Sequence, residues 1–195
     1  MKTLLSCIVS LFLAVLVCAA MPTEGEERIY ADVLRLRVVA ASDTAEDQNL
    51  KIAVRDKLLS TYAETLASFT GTEEAEAFLL GELPALQKTV EDFLKEEGLS
   101  RTVAVAVGEE FFETRSYEDV TLPRGTYTSL TVTLGEGKGQ NWWCVLYPAL
   151  CTEGAFGEKI NAEEVFDESQ YKFLTKSGYA LKFRTLEILG GLFGK

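Results

Sequence analysis

VLRLRVVAASDTAEDQNLKIAVRD, residues 33–56, is the stretch from which the fold can be read. In its first half Leu34, Leu36 and Val38 alternate with Arg35 and Arg37. A period of two puts the apolar set on one face and both arginines on the other, the pattern of a half-buried strand with outward-facing Arg35 and Arg37. Ser42-Asp43-Thr44 stops the strand. Asp43 and Glu46 stand at capping-box spacing, with Asp in place of the usual Ser or Thr, so Asp43 is the expected helix N-cap. The period then changes. Val54, Leu58, Tyr62, Leu66 and Phe69 recur every three to four residues, which predicts a helix over residues 44–67 with that stripe buried.

Working outward toward the C-terminus, Thr70-Gly71-Thr72 breaks the helix. Glu73, Glu74 and Glu76 load the first turn of the next one, where the helix dipole favours negative charge. Gly81 and Pro84 predict a split of this segment into two pieces, with Pro84 in the first turn of the second. Leu83, Leu86, Val90, Phe93 and Leu94 form the apolar face of that piece, and Gly98 is its expected C-cap. Residues 102–107 alternate, with Val103, Val105 and Val107 on one side. Residues 111–121 and 126–134 flank Pro123-Arg124-Gly125, a turn signal, and predict an antiparallel hairpin. On its second arm Thr128, Leu130, Val132 and Leu134 point inward, and Tyr127, Ser129, Thr131 and Thr133 point out. Residues 162–176 read as a helix with an acidic start. Residues 179–189 fit strand or helix. The expected fold is one α+β domain over residues 28–195, with a looser part at 152–195, a mostly antiparallel sheet and helices packed on one face.

Toward the N-terminus, residues 24–28 read as a short polar lead-in. Residues 1–20, MKTLLSCIVSLFLAVLVCAA, place one lysine before an uncharged apolar run that ends in small residues, the order of a secretory signal. An uncleaved anchor is the alternative, since the run is about long enough to span a bilayer. Removal of residues 1–20 takes Cys7 and Cys18 away and leaves Cys144 and Cys151. In an exported chain a lone pair reads most simply as a disulfide, with two buried thiols as the alternative. A straight helix would hold their Cα atoms about 10 Å apart, too far for a bridge, but Pro148 between them favours a closed turn.

Composition narrows the chemistry. The 195-residue chain has no histidine, which removes Ser-His-Asp triads, Cys-His pairs, HExxH sites and imidazole acid–base catalysis. With 19 Lys+Arg against 30 Asp+Glu the net charge is −11, which argues against nucleic-acid binding. Asp43-Thr44-Ala45 resembles the core of an aspartic protease, but no second such triplet supplies the partner carboxylate. Gly135, Gly137 and Gly139 fit neither a P-loop nor a dinucleotide loop and read as a turn needing positive φ. No metal-ligand cluster stands out, and no cofactor is expected. Trp142 and Trp143 cannot share one face of a strand, so one of them is expected near the surface. With Arg35 and Arg37 they are the candidate partner contacts, tryptophan being common in binding hot spots.

Three stretches carry a resemblance: RLRVVAASDTAEDQNLKIAVRD (residues 35–56), LPRGTY (122–127) and GQNWWCVLYPALC (139–151). Together they resemble the stage II sporulation protein R family of endospore-forming bacteria, over about residues 28–151. The resemblance implies a signalling protein, not an enzyme. It implies secretion from the forespore into the space between the two sporulation membranes. There the family activates a membrane-embedded aspartic protease, the stage II sporulation protein GA, which processes pro-sigma-E. Membrane contact by this chain is then expected only through residues 1–20, if they are retained. Two other classes compete with this reading: an envelope hydrolase using two carboxylates, though no spacing selects a pair, and a wall-binding module with exposed aromatics.

Overall fold

The computed structural model describes residues 2–20, 24–117, 120–148 and 162–175. Its elements are α1 (Lys2–Ala20), α2 (Glu24–Asp32), β1 (Leu34–Val39), α3 (Ala45–Ala67), α4 (Thr72–Glu96), β2 (Val103–Phe112), β3 (Arg115–Tyr117), β4 (Val120–Leu122), β5 (Gly125–Leu134), β6 (Asn141–Tyr147), α5 (Ala162–Val165) and α6 (Glu168–Thr175). Four strands form the main sheet in the order β2-β5-β1-β6, and β3 pairs with β4 in a separate two-stranded sheet.

The α+β class is as expected, but the sheet is mixed. β2 runs antiparallel to β5, and β6 antiparallel to β1, whereas the central pair β1 and β5 is parallel, with Leu36 opposite Leu130 and Val38 opposite Val132. Parallel neighbours need a long crossover, and here α3, α4 and β2 all lie between them in the chain. Alternation within a strand shows which face a residue takes and says nothing about its neighbour's direction.

The first face of the sheet is covered by α3 and α4. Leu34, Leu36, Val38, Leu130, Val132, Leu134, Cys144 and Leu146 meet Leu50, Val54, Leu58 and Leu66 of α3 and Leu79, Leu86, Val90 and Leu94 of α4. Each such side chain contributes about 1.5–3 kcal/mol on leaving water. The helical stripe of α3 falls where its spacing puts it, with Tyr62 and Phe69 partly buried at the rim. α4 is one helix, not two, with Pro84 inside it. Ala75, Leu79, Leu86, Val90 and Leu94 lie on a single buried stripe that runs past the proline. Packing along that stripe holds the helix through the loss of one backbone hydrogen bond. Gly98 follows it with φ +71, and the Leu99 N–H donates to the Leu94 carbonyl at 2.8 Å, the expected C-terminal stop.

The opposite face is also covered, which corrects the one-sided arrangement. Ile29 of α2, Val120 and Leu122 of β4, and Phe166 and Leu174 beside and within α6 pack onto Phe112, Tyr127 and Val145. The segment read as a polar lead-in is helix α2, whose Ile29 is fully buried. Tyr127 and Ser129 were expected to point to solvent and are each 1% exposed. The predicted hairpin also differs. Its first arm is the end of β2, with Phe112 opposite Gly125, and β3–β4 forms an inserted hairpin in the connection. The acidic helix read at 162–176 is two short helices, α5 and α6. Asp167 Oδ1 accepts from the N–H groups of Ser169 and Gln170 at the start of the second.

The loop after β1 is tied to the turn after β5. Thr44, not Asp43, is the N-cap of α3, its hydroxyl accepting from the Asp47 N–H at 3.3 Å. Asp43 instead accepts from the Gln140 N–H at 2.8 Å. The cap moves one residue because Asp43 is spent on this cross-link. Gly135 and Gly137 have positive φ, as the glycine spacing suggested. A side chain on Gly139 would overlap the Ser42 carbonyl, so the two loops can approach only with glycine there. Cys151, residues 179–189 and most of the looser C-terminal part lie outside the described residues.

Candidate functional site

β1 sends Arg35 into the second core, not outward. Its side chain is 0% exposed. The guanidinium carbon lies 4.4 Å from the Phe112 ring centroid, 5.1 Å from that of Tyr127 and 5.7 Å from that of Tyr117. Nε donates to the Cys144 carbonyl at 3.1 Å, and Nη2 to the Tyr117 hydroxyl at 2.8 Å. Nη1 is buried without an acceptor. Among the described residues no carboxylate pairs with this charge. Burial pulls the guanidinium below its ordinary pKa, and Tyr117 and Tyr127 oppose that pull. The ring faces supply the negative potential that a carboxylate would otherwise supply.

The LPRGTY stretch forms the corner above this cage. Tyr127 donates its hydroxyl to the Pro123 carbonyl at 2.6 Å, and Tyr30 of α2 donates to the Arg124 carbonyl at 2.8 Å. The two rings meet edge-on at 5.0 Å. A Cβ on Gly125 would strike the Tyr30 ring. Pro123 and Gly125 therefore keep the structural part assigned to them, with the tyrosines as their fastening. Burial drives the Tyr127 hydroxyl well above its usual pKa against the nearby Arg35 charge, so it stays a donor.

Arg37, two residues along, lies at the partly open end of the same face. Nη1 is 3.1 Å from Glu110 Oε2, while Nε is buried without an acceptor. Its guanidinium carbon stands 5.1 Å from the Trp143 ring, and that of Arg115 stands 6.0 Å from the same ring. Trp143 also packs edge-on against Phe112 at 4.8 Å. Trp142 takes the opposite face, 36% exposed, with Arg55 of α3 stacked 4.3 Å from its ring. The adjacent tryptophans thus split between the two faces of β6. Cys144 is buried in the core that faces α3 and α4.

The four candidate contacts therefore do not form one surface. Arg35 is interior, Arg37 and Trp143 share a half-buried face, and Trp142 is on the other side. No local pattern in the sequence marks Glu110, Phe112, Arg115, Tyr117 or Arg55. They reach the site through strand pairing and the inserted hairpin, contacts that span tens of residues in the chain. The arrangement stacks cations on aromatic rings, with one buried donor on each of Arg35 and Arg37 left without an acceptor. No set of three His, Cys, Asp or Glu side chains among the described residues is placed to hold a metal ion.

A family model described as Stage II sporulation protein R matches residues 30–156, from Tyr30 of α2 to beyond β6. Stage II sporulation protein R of Bacillus subtilis (strain 168) is 32% identical over 147 residues, 74% of this chain and 66% of that protein. The chain thus spans about two thirds of the length of that curated relative. No solved structure matches it. The match takes in the Arg35 cage, the Tyr30–Tyr127 corner and the paired tryptophans together, and the chain belongs to the stage II sporulation protein R family.

Proposed function

We propose that this chain is an exported signalling protein of sporulation that switches on a membrane-embedded aspartic protease, which then processes pro-sigma-E. The observation that carries the reading is the family match over residues 30–156. In this reading the protein is secreted from the forespore into the space between the forespore and mother-cell membranes. The partner is the stage II sporulation protein GA, and this chain performs no chemistry itself. Binding shifts the protease toward its active state through a higher affinity for that state.

Helix α1 supports the export step. Leu4, Leu5, Ile8, Leu11, Phe12 and Leu13 are each more than half exposed, an apolar surface that water does not favour and a translocation channel or bilayer does. In the oxidising space outside the cytoplasm Cys144 and Cys151 form a disulfide, closing the segment after β6; alkylation before and after reduction checks the bridge. Trp142, Trp143 and Arg37 are the contact candidates, and Arg35 supports them from within. Co-expression of the full chain with the protease and pro-sigma-E tests the function. Cleavage should depend on this protein. Cleavage that proceeds equally without it overturns the reading.

A further inference from the structure

The main sheet has two edge strands, and they are unlike. β6 is 7 residues long, has a register shift against β1 and runs into Pro148, features that discourage a further strand. β2 is 10 residues long and pairs with β5 in unbroken register. Residues 102–108, TVAVAVG, carry no charge and no proline. Charge, proline or a bulge usually blunts an edge, and this run has none of them. The Gly135 N–H donates to the Thr102 carbonyl at 2.8 Å. Backbone groups alternate in direction along an antiparallel strand, so Thr102, Ala104 and Ala106 bond to β5. Val103, Val105 and Val107 turn their N–H and C=O groups outward. Among the described residues no strand takes them. Beside this edge α4 leaves an open groove, floored by Val105 and walled by Leu83, Pro84, Lys88 and Glu91. Leu80, one turn before Pro84, is 49% exposed, and Phe111 of β2 is 51% exposed.

We propose that β2 is a dimer interface, pairing antiparallel with β2 of a second copy of this chain about a two-fold axis through Val105. Val105 is the midpoint of the uncharged run, so pairing centred there aligns the whole run with itself. Val105 then lies opposite its own counterpart and Val103 opposite the partner's Val107, each pair joined through its outward backbone groups. Charge complementarity selects a second copy as the occupant. Arg101 and Glu109 flank the run, so antiparallel pairing sets the positive end of each copy against the negative end of the other, while Arg101 keeps its bond to Asp47. The groove repeats the pattern. Lys88 and Glu91 both stand over Val105, and the two-fold turns Lys88 of each copy toward the partner's Glu91. The net charge of −11 on each copy opposes association, but charges beyond about 8 Å are largely screened at physiological salt. None of this depends on the protease reading.

The test uses the full chain in a non-ionic detergent that covers the apolar surface of α1. Sedimentation should show a dimer whose population rises with protein concentration. Over the same range amide exchange should slow at Val103, Val105 and Val107 and stay unchanged at Ala104 and Ala106, which β5 already bonds. Association through α1 would leave all five unchanged and overturn the proposal. Lys88→Glu and Glu91→Lys should each weaken the dimer about tenfold, since each turns two attractive pairs into repulsive ones. An equal mixture of the two variants should restore it, because the groove is then wholly acidic on one copy and wholly basic on the other. Mixing cannot cure a damaged fold. A mixture as weak as its components overturns the two-fold, and so does a chain that stays monomeric up to about 0.1 mM. Slow exchange at the three valines at every concentration means that the chain's own residues cover the edge, and sinks the proposal. Protection that appears only when the protease is added assigns the edge to a partner strand, and sinks it too.

Discussion

Arg35 shows how far one residue can depart from its apparent role. In a strand reading Leu-Arg-Leu-Arg, arginine at alternate positions signals solvent. Here the first arginine is fully buried among Phe112, Tyr117 and Tyr127, and the second is only partly open. The difference lies in what stands opposite each, and that is set by residues about 80 to 110 positions away. Arg35→Ala should destabilise the fold by about 3 kcal/mol in urea unfolding, since it leaves a cavity and strands the Cys144 carbonyl and Tyr117 hydroxyl. Arg35→Met should cost less, because its stem keeps filling the space between the rings and no unpaired charge remains. Equal stability of Arg35→Ala and wild type would contradict the cage. Asp43 carries the same lesson on a smaller scale: its local spacing fits a cap, but its carboxylate accepts from the N–H of Gln140 instead.

At the scale of elements, period was a sound guide to type and a poor guide to interruption. The α3 stripe, the β1 alternation and the Gly98 stop are all legible because neighbours within one turn or one pleat determine them. Gly81 and Pro84, two residues that weaken an isolated helix, predict a break in α4 that does not occur. Its buried stripe continues on both sides of them, and tertiary packing overrides the local penalty. Gly81 has open space where a Cβ would go. Gly81→Ala should therefore raise stability by about 0.5–1 kcal/mol, read as a higher urea midpoint with an unchanged slope. A drop would show that α4 needs the glycine. The β3–β4 insertion leaves no periodic signal for a related reason. Its strands have three residues each, too few for alternation to register.

For the molecule as a whole, the loops at one end of the sheet form a single charged network. Asp47 accepts from the Ser42 hydroxyl at 2.5 Å and from Arg101 at 3.3 Å, while Lys51 reaches Gln48 at 2.6 Å and the Gln140 carbonyl at 3.0 Å. The Ser42 hydrogen bond, opposed by burial and aided by Arg101 and Thr44, holds the Asp47 carboxyl below its ordinary pKa. A depressed folded-state value means that the unfolded chain binds the proton more readily. The stability it contributes is thus fully present above about pH 4 and is lost as pH falls through the lower folded value. Asp47→Asn should be less stable than wild type at neutral pH, and the gap should narrow as pH drops through that window. A gap that stays constant in pH-dependent urea unfolding would show that the charge of Asp47 does not couple to folding.

Read alone, the sequence determined the class of the fold, the order of strand and helix from β1 to α3 and the glycine stops. It also carried the family, through three stretches with an uncommon order of residues. These are local properties, written in spacing and in the conformations that glycine, proline and capping residues allow. Only the tertiary structure decided that β1 and β5 run parallel, that both faces of the sheet are covered and that Arg35 is interior while Arg37 faces a half-open site with Arg115. Those outcomes depend on which distant strand lies alongside and which ring stands opposite each side chain. Charge and periodicity cannot encode that pairing, because an arginine has the same spacing in the sequence whether water or three aromatic rings surround it.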